Sequence, residues 1–265
     1  MFVLNPIAFT VLGLEVRWYG ILIAVGMVLG TLVMYRRAEK HAVEPEKVLD
    51  FIIAGIPAGV IGARIYYVIF NWSYYVYSNG SPDWGKIVNL RLGGLAIHGG
   101  LILGFTAVIL LCIYNKYNAF NVLDLAAPGI ALAQSIGRWG NYFNSEAHGG
   151  PTDLPWGIWV DGEMVHPTFL YESVWCAMLF VLLIYIDNRR KFTGQIILLY
   201  AFLYSIERFF VEGLRTDSLM LGPLKQAQVM SLAVILLSGA TYLYLREKKQ
   251  TRATSQTDQK HMNQT

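Results

Sequence analysis

A few residues that could do chemistry stand in a chain otherwise dominated by apolar side chains. Arg138 opens the run Gly137-Arg138-Trp139-Gly140-Asn141-Tyr142-Phe143-Asn144-Ser145-Glu146-Ala147-His148-Gly149-Gly150. Tyr204, Arg208 and Glu212 recur at i, i+4 and i+8, which puts them on one face of a helix. Glu207 points to another face and reads as structural. His98 sits between two glycine pairs in Leu92-Gly93-Gly94-Leu95-Ala96-Ile97-His98-Gly99-Gly100, and Arg64, Gln134, Tyr171 and Glu172 lie in other apolar stretches. Guanidinium groups match phosphate through fixed, always-charged donors. An imidazole can take a proton near neutral pH. Carboxylates can pair with the arginines, and the Arg208–Glu212 spacing allows that pairing outright. A His on an apolar helix is as easily a packed residue, although flanking glycines permit close backbone approach. His148, in a loop, is not a candidate.

The elements that must hold these residues are membrane helices. The 265 residues are 55% hydrophobic and 15% charged, with a mean hydropathy of +0.42. Soluble domains average about 25% charged residues, so too few charges are present to coat a water-facing surface. The +3 net charge forms no long basic run outside the loops, which excludes a nucleic-acid-binding module. Seven apolar stretches, at 17–35, 48–70, 93–114, 122–137, 168–186, 194–212 and 226–245, approach the ~20 residues needed to cross a bilayer core. The fourth is short and contains Pro128. Segments in lipid must satisfy their own backbone, so the expected fold is an all-α polytopic membrane protein. Residues 1–249 form the membrane domain, with an external head region at about 138–167. Residues 250–265, rich in Thr, Gln and Ser, form a disordered cytoplasmic tail.

Thirteen of the 21 Lys and Arg residues fall in loops on one side, six on the other, and two, Arg64 and Arg208, inside spans. The side richer in positive charge is cytoplasmic by the positive-inside rule, so the N-terminus faces out and the C-terminus in. Met1–Thr10 carries no Lys or Arg, so it lacks the n-region of a cleavable signal peptide, and the first helix must direct insertion. Cys112 and Cys176 fall in apolar spans and read as small packing residues.

With this orientation the buried ionisable groups collect in the outer half of the membrane. Arg64 lies about 9 Å below the outer end of its span at 1.5 Å per residue. His98, Gln134, Arg138, Tyr171, Glu172, Glu207, Arg208 and Glu212 lie near other outer ends, whereas Asp50, Asp124 and Asp187 approach only the inner ends. Charges at such depth are costly and mark cavities or pathways. Structural pairing accounts for any one of them, less well for all of them in one layer. The loop after Arg138 can be read as an aromatic interfacial belt or as a polar ligand site. An outer-leaflet pocket with arginines, a histidine and carboxylates suits a phospholipid, with phosphate at Arg and acyl chains in the membrane. That fits headgroup chemistry or lipid transport alike.

Five segments resemble the bacterial prolipoprotein diacylglyceryl transferases: GRWGNYFNSEAHGG (Gly137–Gly150), LAIHGG (Leu95–Gly100), HPTFLYES (His166–Ser173), GARIYY (Gly62–Tyr67) and YSIERFFVEGLR (Tyr204–Arg215). The resemblance implies a multi-pass protein of the bacterial plasma (inner) membrane with its active site toward the outer leaflet. It implies transfer of the diacylglyceryl group of phosphatidylglycerol to the lipobox cysteine thiol of a preprolipoprotein signal peptide, releasing glycerol phosphate. On that reading Arg138 and Arg208 stabilise the leaving phosphate and His98 is the base, with Arg64 a weaker third cation. Asn141, Glu146 and Gly149 match signature positions and shape the headgroup site. Tyr19, Tyr204, Glu172 and Glu212 position substrate or pair behind it. No cofactor or metal is required. The competing reading is a lipid or solute transporter using the same cavity, which the apolar inner halves of the spans disfavour.

Overall fold

The computed structural model describes residues 5–90, 93–216 and 220–262, with side chains through residue 251. The chain forms two compact units, residues 37–122 and residues 1–36 together with 123–265.

In the larger unit a hairpin, β1 (Ile7–Val11) and β2 (Leu14–Arg17), leads directly into α1 (Trp18–Arg37). Its two-residue turn is Leu12-Gly13, both at positive φ, 49° and 78°, the geometry that matches strand twist. Helix α1 crosses the later helix α5 (Ala119–Phe143) through small residues. A Cβ placed on Gly30 would come within 2.7 Å of the Gly129 carbonyl, and one on Gly26 within 2.9 Å of that of Ala133. Without a hydrophobic drive between helices in lipid, this close backbone approach supplies the packing.

The smaller unit contains α2 (Pro45–Phe70), the short helix α3 (Trp84–Val88) and α4 (Ile97–Tyr114). Helices α2 and α4 pack along Gly55, Gly59 and Gly62 against Gly99, Gly100 and Gly104. Span three was expected to begin at residue 93, but α4 starts only at Ile97. Gly93 and Gly94 have φ of 74° and 77°, outside the right-handed helical region.

In the larger unit α5 is longer than the expected 122–137 and runs through Pro128, whose ring a membrane helix tolerates when neighbours satisfy the freed carbonyl. A hairpin of β3 (Ile158–Val160) and β4 (Glu163–Val165), turned by Asp161-Gly162, precedes α6 (Thr168–Asp187) and α7 (Gln195–Leu214). A last hairpin, β5 (Met220–Leu221) and β6 (Leu224–Lys225), opens α8 (Gln226–Met262). Ala127, Ala131, Leu179, Leu183 and Ile196 from α5, α6 and α7 form the buried core. Asp124, fully enclosed, accepts hydrogen bonds from the backbone N–H groups of Gly194 (2.7 Å), Ile196 and Ile197 (2.9 Å each). Arg190 Nη1 donates to it at 3.0 Å. A carboxylate therefore satisfies the otherwise orphaned donors at the positive end of α7.

All seven expected spans are helices, and six of them are long and apolar enough to cross a membrane. The seventh, α7, has the length but carries Glu207, Arg208 and Glu212 in its second half. The fold is mostly helical, as expected, with three short two-stranded hairpins among the described residues that the expectation did not include. Asp-Gly and Gly-Pro at two of their turns are local turn chemistry that a search for long apolar runs passes over. Helix α8 continues through most of the stretch expected as a tail, and residues 263–265 lie outside the described residues.

Candidate functional site

In the larger unit, three helices bring their polar residues together. Glu172, on the first turn and a half of α6 and 1% exposed, is the hub. Its Oε1 lies 3.0 Å from Arg138 Nη2, on α5, and accepts a hydrogen bond from Arg208 Nη1, on α7, at 2.8 Å. Arg208 Nη2 reaches Glu212 Oε2 at 2.5 Å one turn further along α7. Arg138 Nη2 also donates to the Tyr204 hydroxyl at 3.1 Å. The i, i+4, i+8 face of α7 is thus realised, and Arg138, Glu172, Tyr204, Arg208 and Glu212 form one network.

The network is incomplete on its open side. Both guanidiniums keep about a fifth of their side-chain surface exposed. Among the described residues, the contacts of Arg138 all run through Nη2, and those of Arg208 through Nη1 and Nη2. Arg138 Nε and Nη1 and Arg208 Nε are left for an incoming group. Two guanidiniums sharing one carboxylate oxygen at a partly open face make a ready anion site.

The long polar loop after α5 is built around Glu146. Its Oε1 accepts from Asn141 Nδ2 at 3.2 Å and Asn144 Nδ2 at 3.1 Å, and its N–H donates to the Asn141 carbonyl at 3.0 Å. Gly149 is a backbone junction: its N–H donates to the His166 carbonyl at 2.9 Å, while the N–H of Gly150 donates to that of Leu214 at 3.0 Å. A Cβ on Gly149 would meet His166 Cβ at 2.7 Å. Thr168 Oγ1 donates to the Ala147 carbonyl. The loop is therefore stitched to the start of α6 and the end of α7, the ends that carry Glu172 and Glu212. Tyr19 is half exposed on α1 with its ring against Gly140.

The smaller unit holds the other two candidates. His98 is the second residue of α4, half buried, 6.1 Å from the Tyr66 ring between centroids. Among the described residues its ring nitrogens have no hydrogen-bond partner. The five N–H donors of Arg64 all go to backbone carbonyls: Nε to Ile87 (2.8 Å), Nη1 to Gly93 (2.5 Å) and Gly94 (2.9 Å), Nη2 to Lys86 (2.7 Å) and Asn89 (3.1 Å). A guanidinium has five such donors, and in this structure all five hold the loop. In the same loop Asp83 caps α3, and the Lys86 backbone N–H on its carboxylate holds its pKa below the ordinary value.

Glu207, read from the sequence as facing away from Arg208 and Glu212, lies beside the same charges. It is buried, its charged neighbours are Glu172, Arg138 and Arg208, and among the described residues neither carboxylate oxygen has a hydrogen-bond partner. Its helical position, 100° from Arg208, points it away from Glu212 but still between α5 and α6. A wheel of one helix does not show that. Gln134 was placed near an outer end by its sequence position, but the polar contacts around it were not foreseen. Tyr200 donates to Gln134 Oε1 at 2.8 Å, and Trp139 Nε1 to Ser173 Oγ at 3.1 Å. Cys112 and Cys176 are both free and buried.

The model of the prolipoprotein diacylglyceryl transferase family matches residues 6–244. The chain is 49% identical over 253 residues to the phosphatidylglycerol–prolipoprotein diacylglyceryl transferase of Clostridioides difficile (strain 630), covering 96% of this chain and 100% of that one. It is 45% identical to the protein of the same name from Finegoldia magna, covering 93% and 97%, and 47% identical to that of Clostridium novyi, covering 88% and 93%. The match runs through both units and includes every segment that supplies the arginine network, the Glu146 loop and His98. With agreement of that extent, the chain belongs to the prolipoprotein diacylglyceryl transferase family.

Proposed function

We propose that this protein transfers the diacylglyceryl group of phosphatidylglycerol to the thiol of a lipobox cysteine in a preprolipoprotein. The observation that carries this reading is the Arg138–Glu172–Arg208 bridge with unpaired guanidinium donors on its open face. In the reaction the cysteine sulfur attacks the glycerol carbon that bears the phosphate. A C–S bond forms, the C–O bond breaks, and glycerol phosphate leaves with one more negative charge. Donors already in place at that oxygen lower the barrier, because they stabilise charge that appears only as the bond breaks. Arg138 and Arg208 have that role, with Glu172 and Glu212 holding them between turnovers. A free thiol has a pKa of about 8.5, so at neutral pH its proton must be taken, and His98 accepts it.

Asn141, Glu146 and Gly149 form the wall around the headgroup, and Tyr19 and Tyr204 orient the lipid. The Lys and Arg distribution supports an outward N-terminus, a cytoplasmic C-terminus with residues 250–265 as its tail, and α7 as a seventh span. It also supports residues 138–167 as the external region, in a bacterial inner membrane. The acyl chains then stay in the outer leaflet while the signal peptide presents its cysteine.

The test uses the purified full chain, phosphatidylglycerol labelled in its headgroup glycerol, and a lipobox peptide. The expected result is labelled glycerol phosphate released only with the Cys peptide, and lost by more than 100-fold in Arg138→Ala, the scale of removing a transition-state donor. Absence of release from folded, lipid-binding protein overturns the reading.

A further inference from the structure

The five-carbonyl clamp of Arg64 is built next to the one imidazole the reaction uses. Arg64 is 6% exposed, and its Cζ lies 5.1 Å from the centre of the Tyr75 ring. Every donor on its fork is spent on the chain that leads into α4. Just before it along α2, two more ties reach the same place. The Ala63 carbonyl accepts from the Ala96 N–H at 3.0 Å, and Gly62 packs directly against Gly99. Ala96 and Gly99 bracket His98. The turn at Gly93 and Gly94, both at positive φ, brings these carbonyls flat onto the guanidinium; a Cβ on Gly94 would meet Arg64 Nη1 at 2.7 Å. His98 makes no hydrogen bond of its own among the described residues, so backbone placement and the Tyr66 contact set where its ring sits.

We propose that Arg64 is the positioning residue for His98, acting through the carbonyls of residues 86–94 and not through the phosphate. The proposal rests on the reading that His98 accepts the thiol proton. Lysine cannot replace Arg64 here, because one ammonium has three donors on a point charge and cannot span five carbonyls arranged around a planar fork.

The experiment measures transfer by Arg64→Ala, Arg64→Lys and Gly94→Ala, the last of which pushes the loop off an intact guanidinium. All three are expected to lose about 100-fold in kcat, the cost of an ~1 Å misplacement, with KM for phosphatidylglycerol within about twofold of wild type. In a His98→Ala background Arg64→Ala should add no further loss, because residues acting as one unit are not additive. A rise in KM at retained kcat would restore Arg64 as a phosphate ligand and overturn the proposal, as would a full further loss in the His98→Ala background. An activity-free readout separates this from the reaction itself. In isotope-labelled protein, Gly94→Ala should shift the His98 ring resonances while leaving those of His166 in place. An unmoved His98 ring sinks the positioning role even if transfer is confirmed. A moved ring with no transfer in wild type retires the reaction and leaves the clamp.

Discussion

Glu172 carries opposed demands in a single side chain. One of its oxygens serves two guanidiniums, and the other is buried without a hydrogen-bond partner among the described residues. Removing it leaves two partly buried cations facing each other, and breaking a buried pair costs about 3–5 kcal/mol. Glu172→Ala is therefore expected to lower the Tm in detergent by roughly 6–15 °C for a chain of this size. Added phosphatidylglycerol should recover more of that loss than it adds to wild type, since its phosphate supplies the missing charge. Thermal unfolding with and without the lipid reads both effects, and an unchanged Tm removes Glu172 from the hub. At this scale the sequence told half the story. The Tyr204, Arg208 and Glu212 spacing lies within one helix, so periodicity alone reveals it. The partners of Arg64 are main-chain carbonyls 22 to 30 residues away, and a carbonyl has no residue type to read.

Among the elements, helix pairing is decided by small residues. Gly30 faces Gly129 across α1 and α5, whereas Gly20, one face away on α1, has nothing within 4 Å of where a Cβ would stand. Gly30→Ala must push two backbones apart and is expected to cost about 1–3 kcal/mol. Gly20→Ala removes only backbone freedom and should be neutral or stabilising by about 0.5–1 kcal/mol. Thermal stability and yield of the two variants give the comparison, and equal behaviour would contradict the close crossing. Apolar run length located all seven helices, because hydropathy is a local property of the chain. It missed the late start of α4, set by two glycine dihedrals, and the three hairpins, whose strands of two to five residues are too short for any periodicity to emerge. Nor did it show which faces the glycines share, since that depends on which helices become neighbours.

For the molecule as a whole, the orientation argument used the loops; of the polar residues it set in one layer, the larger unit brings together those of α5, α6 and α7. That assembly has a consequence for how the protein is made. Helix α7 brings Glu207, Arg208 and Glu212 in its second half, and a charge within a span costs up to about 2.5–3.5 kcal/mol on insertion scales, most at its centre. Alone it is a poor substrate for the insertion machinery. Glu172 of α6, placed one helix earlier in the chain, already offers the counter-charge for Arg208. The nascent chain should therefore release α6 and α7 into lipid as a pair. Glycosylation mapping of α7 fused alone should show poor insertion, and the α6–α7 hairpin efficient insertion that falls when Glu172 is changed to Ala. Efficient insertion of α7 by itself would refute the pairing. The ionic bridge that later meets the lipid would thus first act during synthesis, as the escort of a helix that cannot enter the bilayer unaccompanied.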